Sequence, residues 1–481
     1  MQRIEARLAN LVARAAAGDK KADEEKKAAE DRKLAGPKQA EAPSAAEPFA
    51  FADFSWLNGA NRQKEALLDS KYFTGSFLLD VNYTVSAANP IDHTVVGSTT
   101  LSRNNELTLQ FMGFGGDFHW SDVRARLMMQ YGTRAVVVPR NDVSAMKGQF
   151  DLDTALRYVS EVNGGYHFNV WNGINVDAGI FMSYVGLFSF DNFENWTYLP
   201  SYTSDNTPWF FNGIRVQLFP SDTLKIEPWL INGWQSYGEF NERPGFGAAI
   251  VWRPVEWFAL VSNNYVGWDT QDAPGRVRLH TDNSALVRYY NHPSFKFLPE
   301  AALSVTLDLG GEQGDGVTPF GGSGTEGHCT NAKPCTQHFA SWMAYNRFWL
   351  FNGLVALNIG GGMMDNPGRY LVLAPTGQAS PFALPLSTPG IALKLPTSPF
   401  DMNAGTTFQA WDVMSGFQLM PTQYLTYDLE WSYRASSVPY FAGHGGVTGP
   451  DGYITTAVPP GWRADLRPND LRLIGAMLVR F

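Results

Sequence analysis

The chain has 481 residues, 17% charged and 14% aromatic, with a formal net charge of -9 at pH 7. The acidic balance excludes nucleic acid as the expected partner, and the lack of any run of about 18 apolar residues excludes a transmembrane helix. Abundant aromatics without such a run suit a membrane-crossing β-barrel, whose apolar residues are diluted at every second position; a large soluble all-β protein, such as a sandwich lectin, shares that composition.

Residues 1–34 differ from the rest. Ile4, Leu8, Leu11 and Ala15 fall on one helical stripe, and residues 20–33 continue with Lys, Glu and Ala. A solvated charged helix is the plainer reading and a short oligomerising coiled coil the sharper one, because the apolar heptad lasts barely two repeats. Residues 36–48 form an Ala/Pro/Glu linker. Residues 35–71 thus read as linker and pre-barrel segment, in which Phe51, Phe54 and Trp56 could pack inside or beneath a barrel. Arg3, Glu5, Arg7 and Arg14 interrupt any apolar signal core; an exported chain would carry a signal upstream of Met1 or one already removed.

From residue 72 the period becomes two. Phe73, Gly75, Phe77, Leu79, Val81 and Tyr83 alternate with Thr74, Ser76, Leu78, Asp80 and Asn82. Leu107, Leu109 and Phe111 begin a second strand, and a turn at Gly115-Gly116-Asp117 leads to Val123, Ala125, Leu127, Met129 and Tyr131. Asn172-Gly173 is a type I′ hairpin signal, and further short turns fall at 220–222, 253–256, 352–353 and 421–422. Long polar or Gly-rich segments recur at 86–104, 133–153, 191–208, 310–336, 365–405 and 436–467. The clearest strand puts Leu425, Tyr427, Leu429, Trp431 and Tyr433 on one face and Thr426, Asp428, Glu430, Ser432 and Arg434 on the other. About sixteen strands result, joined alternately by short turns and long loops. That predicts an all-β fold, a transmembrane antiparallel up-and-down barrel over 72–481, because Greek-key sandwiches need not sort loop lengths by parity. The segment 191–208, rich in Phe, Trp and Tyr, could fold inward.

The inner wall is predicted from the polar strand faces. Arg124, Arg126, Arg215, Arg278, His280, Asp282, Arg288, Asp308, Asp412, Asp428, Glu430 and Arg434 are the candidate pore-lining residues, with Asp80, Asp177 and Glu227 on the same faces. Opposed rings of Arg and acid would set a transverse field; adjacent Arg–carboxylate pairs would merely satisfy a packed interior. His280 reads as a hydrated wall residue. Tyr131, Tyr184, Trp252, Trp257, Tyr265, Trp411 and Trp431 lie at strand ends or on apolar faces; those near ends suit an interfacial girdle, and any that face inward could form a sugar-stacking track.

No catalytic group, cofactor or metal is expected. The GxGxxG match at residues 322–327 has no helix after it and reads as a flexible loop, and the eight histidines show no metal-ligand spacing. Cys329 and Cys335 could close a small disulfide loop in an oxidising compartment or stay free thiols.

Several short stretches resemble the OmpL-like β-barrel porin family of Gram-negative bacteria. They are Tyr184-Val185-Gly186; Ser201-Tyr202 before Phe211-Asn212-Gly213-Ile214-Arg215; Leu230-Ile231-Asn232-Gly233-Trp234-Gln235; residues 246–252 with Ser262-Asn263-Asn264-Tyr265-Val266-Gly267; and the closing block 463–481. The final strand, ending in Phe481, is similar to the C-terminal signature that outer-membrane assembly machinery recognises. The resemblance, which covers roughly Phe73 to Phe481, implies an outer-membrane channel surrounded by lipid and passing small hydrophilic solutes. The helix over 1–34 lies outside it and is expected to project into the periplasm, where it could make a homo-oligomer of the barrel or touch the cell wall. Rival expectations are a plugged surface-binding or structural barrel, or an outer-membrane lipid hydrolase.

Overall fold

The computed structural model describes residues 47–139, 142, 144, 148–239, 241–270, 273–315, 322–324, 327–329, 336–366, 408–453 and 459–481. The helix expected over 1–34 and the Cys329–Cys335 pairing lie outside the described residues and side chains. The barrel strands are β1 (Phe73–Ser86), β2 (Leu107–Trp120), β3 (Val123–Tyr131), β4 (Val159–Phe168), β5 (Ile174–Met182), β6 (Phe210–Ser221), β7 (Leu224–Ile231) and β8 (Gly245–Val255). They continue as β9 (Phe258–Gly267), β10 (Val277–Asn291), β11 (Glu300–Gln313), β12 (Gln337–Leu350), β13 (Val355–Asn366), β14 (Phe408–Thr422), β15 (Leu425–Ser436) and β16 (Asn469–Arg480).

Each strand pairs with its sequence neighbours, and β16 returns to β1 to close the barrel. The register of that seam runs from Leu78 opposite Arg480 to Ser86 opposite Arg472. Phe77 and Phe481 exchange backbone hydrogen bonds of 2.9 and 2.8 Å, so the terminal Phe is part of the seam. Closure removes both sheet edges, and sixteen strands enclose enough room for an aqueous channel.

The alternation expected of β15 is what the strand shows. Thr426, Asp428, Glu430, Ser432 and Arg434 are buried inside, while Tyr427, Leu429 and Trp431 face out. Replacing Leu429 by Arg would put a charge against hydrocarbon and should cost about 2–4 kcal/mol near the bilayer midplane. Urea titration of folding into lipid vesicles measures this, and a loss below about 0.5 kcal/mol would place Leu429 outside the apolar band.

Loop lengths sort by parity. One rim carries Ser121-Asp122, 169–173, Asp222-Thr223, Glu256-Trp257, 292–299, 351–354 and Gln423-Tyr424. The other carries 87–106, 132–158, 183–209, 232–244, 268–276, 314–336, 367–407 and 437–468. Short connections on one side and long ones on the other are the outer-membrane arrangement, with the short rim in the periplasm.

Several turns differ from the sequence expectation. The β2–β3 turn is Ser121-Asp122, both at positive φ (49° and 69°), the mirror-image geometry that matches strand twist. Gly115 and Gly116 lie within β2 instead: a Cβ on Gly115 would sit 1.9 Å from the Leu127 carbonyl oxygen. Near Asn172 the positive φ values fall on Trp171 and Gly173, so a five-residue connection replaces the two-residue hairpin. Pro220, Pro254 and Pro421 sit inside strand ends, at register shifts between Leu218 and Ser221, Trp252 and Val255, and Leu419 and Thr422. A bulge spares the ladder donor that proline lacks. The Gly-rich stretch read as a loop forms a short ribbon, with 322–324 pairing antiparallel to 327–329.

Candidate functional site in the barrel lumen

The lumen is occupied by two pieces of the chain itself. The connection 183–209 carries Phe188, Phe190, Phe193, Trp196, Tyr198, Leu199, Tyr202 and Trp209, all buried. So much apolar area is unfavourable in water, and the barrel interior is the nearest place to bury it. Asp191 caps a 3-10 turn over Asn192–Glu194 by accepting from the Phe193 N–H, and Ser201 caps a single helical turn over Tyr202–Asp205 by accepting from the Thr203 N–H.

Side chains on the wall hold this loop from one rim to the other. Near the short rim, Arg480 pairs with Asp191 at 2.8 Å and with Glu194. In the middle, Asp80 accepts from the Tyr198 hydroxyl (2.7 Å) and the Asn192 amide (2.8 Å). Glu430 accepts from the backbone N–H groups of Tyr198 (2.9 Å) and Leu199 (3.2 Å). Arg347 donates to the Trp196 carbonyl, and Gln418 to that of Asn195. Towards the long rim, Asp412 accepts from the Ser201 hydroxyl (3.1 Å) and the Tyr202 N–H (2.5 Å). Arg434 pairs with Asp205 at 2.7 Å, donates to the Gly97 and Pro200 carbonyls, and lies over the Tyr202 ring.

The pre-barrel segment packs into the periplasmic mouth, with Phe51 left exposed. Phe54, Trp56 and Leu57 are buried. Trp56 donates to the Glu256 carbonyl (3.0 Å), and Asn58 accepts from the Trp196 N–H (2.8 Å). The Trp196 indole N–H reaches the Trp56 carbonyl at 3.1 Å. Arg62 lies 3.8 Å over the Phe193 ring and donates to the Thr426 hydroxyl at 2.7 Å. Segment and inward loop therefore brace each other.

All twelve candidate wall residues point inward, but they do not form facing rings. The cations and acids are neighbours: Arg124 and Arg215 share Asp177 (3.2 and 3.1 Å), and Arg126 bridges Glu161 and Asp117. Arg278 pairs with Glu312 at 2.6 Å, and Arg288 with Glu300 at 3.3 Å. His280 is not a hydrated wall residue: it is fully buried, 2.5 Å from Asp308 and packed on Trp234, while Asp282 accepts from Asn263. Asp412, Asp428, Glu430 and Arg434 are sealed under the loop or its neighbours. Solvent reaches Arg124 and Arg126, whose side chains stay 37% and 27% exposed, so the wetter wall is the β3–β6 side.

Two girdle expectations also change. Trp252, Trp257, Trp411 and Trp431 do face out, but Tyr184 and Tyr265 are inside. Tyr265 donates to Asp269 at 2.8 Å, and Tyr184 stacks on Trp229. Tyr184 lies in the connection after β5 and Tyr265 near the end of β9, and both join the inner cluster around Trp229.

Other connections cap the long rim. Asp142, buried between 132–158 and 232–244, accepts from Ser144 (2.7 Å) and Ser236 (3.0 Å). Burial pushes its carboxyl up to about 6, with Asp153 adding repulsion against the lowering by Ser144 and Ser236. A raised carboxyl favours the docked cap fully below the ordinary value near 3.8, and that contribution is lost as pH rises through 6. The effect is on the order of 3 kcal/mol. Hydrogen exchange at residues 232–239, corrected for intrinsic rates, should be slower at pH 4 than at pH 7, and Asp142→Asn should remove the difference.

Among functional residues, Asn58, Arg62, Asp191, Glu194, Asp205, Arg347 and Arg480 escape a strand-by-strand reading, because most serve loops. Their signal was the aromatic density of two non-strand segments.

A closed sixteen-strand barrel with an oil-facing exterior, a charged interior and long loops on one rim defines an outer-membrane protein of the porin-like channel class. The chain belongs to the family described as "Putative beta-barrel porin-2, OmpL-like", whose model matches residues 72–458. No curated protein matches it. Among solved structures it is similar to OmpT of Vibrio cholerae, at 8% identity and a TM-score of 0.47, covering 87% of this chain and 100% of that one. It is also similar to the anion-selective porin of Comamonas acidovorans (9%, TM-score 0.47, 85% and 99%) and to OprB of Pseudomonas putida (11%, TM-score 0.47, 85% and 94%).

Proposed function

We propose that the protein is a gated, non-enzymatic diffusion channel for small hydrophilic solutes, closed here by its own inward loop and pre-barrel segment. The observation that carries this is how the obstruction is attached. The wall keeps a polar, charged face of its own, and the loop is held to it largely by hydrogen bonds from wall side chains to loop backbone and by the ion pairs of Arg434 and Arg480. Water and ions compete for such contacts. Release of the loop would uncover the charges of β14 and β15 across the lumen from the wet wall that carries Arg124 and Arg126, giving a passage lined by both signs.

The aromatic packing of Trp56 and Trp196 favours a second reading, a permanently filled structural barrel. Recording of the purified protein in planar bilayers separates the two. The channel reading expects rare, discrete, porin-sized openings. Silence at all voltages, persisting after the loop has been released by mutation, leaves the structural barrel.

A further inference from the structure

Among the described residues, the oil-facing side of the barrel carries a built polar site on β9 and β10. On β9 and β10, Ser262 is opposite Asn283, and Asn264 opposite Thr281. They alternate with Asn263 and Asp282, which are buried inside, so these four side chains point outward. They form a ring with a single sense. The Ser262 hydroxyl donates to Asn283 Oδ1 (2.7 Å), and Asn283 Nδ2 donates to Thr281 Oγ1 (2.9 Å). The Thr281 hydroxyl donates to Asn264 Oδ1 (3.0 Å), and Asn264 Nδ2 donates to Ser262 Oγ (3.2 Å).

The ring is not complete in itself. A primary amide has two N–H donors, and the ring uses one from each asparagine. It lies roughly 7 to 13 Å along the strand from the exposed Trp252 rung, well inside a hydrocarbon band about 25 Å tall. Lipid tails offer nothing to accept those two remaining donors. On the neighbouring strand the exposed side chains are instead Leu303, Val305, Leu307 and Leu309.

The surface around the ring is also recessed. Ala248 is opposite Asn264, and Ala285 opposite Leu260. Grooves of about 750 and 650 Å³ flank the strip, the first lined by Phe246, Val266 and Leu279, the second by Ile250, Trp252 and Leu307. Small side chains let two backbones approach, and polar side chains between them bond across the contact.

We infer that a second copy of this chain packs on the β8–β10 face and buries the Ser262–Asn264–Thr281–Asn283 ring between barrels. A copy suits it because the patch is complementary to itself: each asparagine offers one N–H and a carbonyl oxygen with a lone pair to spare. A symmetric contact would place the donors of one ring against the acceptors of the other. The contact is independent of gating, since the face lies outside the lumen.

The test is the assembly state of the full chain in mild detergent, by native mass spectrometry, and in native membranes, by cysteine cross-linking. Wild type should be oligomeric, and the double variant Asn264→Leu/Asn283→Leu should become monomeric while keeping its heat-modifiable gel mobility. If that variant fails to fold, Ala285→Cys decides: it should cross-link to a second copy at least tenfold more than Leu429→Cys, on the opposite side of the barrel. A monomeric wild type, an unchanged oligomer in the folded double variant, or cross-linking of Ala285→Cys no better than the control or only to a different protein overturns the assignment.

Discussion

Arg434→Ala should convert a mostly closed barrel into a conducting one. The guanidinium is fully buried and holds Asp205, Gly97 and Pro200 together, with Asp412 directly opposite on β14. Removing it leaves two carboxylates facing each other without a cation. Breaking one partner of a buried ion pair costs about 3–5 kcal/mol, enough to shift a docked–undocked equilibrium by two orders of magnitude or more. The strands are held by their own ladders, so heat-modifiable mobility should persist while open probability rises and a protease gains access to 183–209. The pair Arg434→Met/Asp205→Leu, which removes both charges, should restore most of the closure. Unchanged conductance in Arg434→Ala would show that this ion pair does not hold the loop.

Truncation separates the two N-terminal segments by an equally large effect. Removing residues 1–46 should leave conductance as it is, because the mouth is closed by residues after them. Removing 1–64 takes away Trp56, Asn58, Gly59 and Arg62, and with them partners of Trp196, Glu194 and Phe193. Burial of Trp56 alone is a contribution of about 3–5 kcal/mol by analogy with large-to-small changes. Openings should therefore become on the order of a hundredfold more frequent in planar bilayers. Equal conductance for the two truncations would move the barrier elsewhere in the lumen.

Much of the fold was legible because a barrel writes its geometry into alternation. β15 could be read residue by residue, with Asp428, Glu430 and Arg434 correctly set inward. The rims were legible from loop lengths, and the inward habit of 191–208 from its aromatics. What failed were places where alternation is locally cancelled. Gly115 and Gly116 have no side chain to show a face and looked like a turn. Pro220, Pro254 and Pro421 looked like turns but sit in bulges. Tyr184 and Tyr265 are apolar enough for a girdle, yet they fill the interior beside Trp229. The site was harder, because wall and loop contacts join residues hundreds of positions apart, such as Asp80 with Tyr198 or Glu430 with Leu199. Sequence periodicity assigns a residue to a face, but it does not say what arrives from the other side.

The position of Arg480 has a consequence for the order of assembly. It ends β16, the strand that closes the barrel, and it grips Asp191 and Glu194, which are made almost three hundred residues earlier. The ion-pair anchor at the lower end of the inward loop thus waits until the final strand has arrived beside β1. Filling of the interior should follow barrel closure during biogenesis, and in pulse–chase samples protease protection of 183–209 should appear only after the heat-resistant form. Protection that came first would reverse this sequence of events.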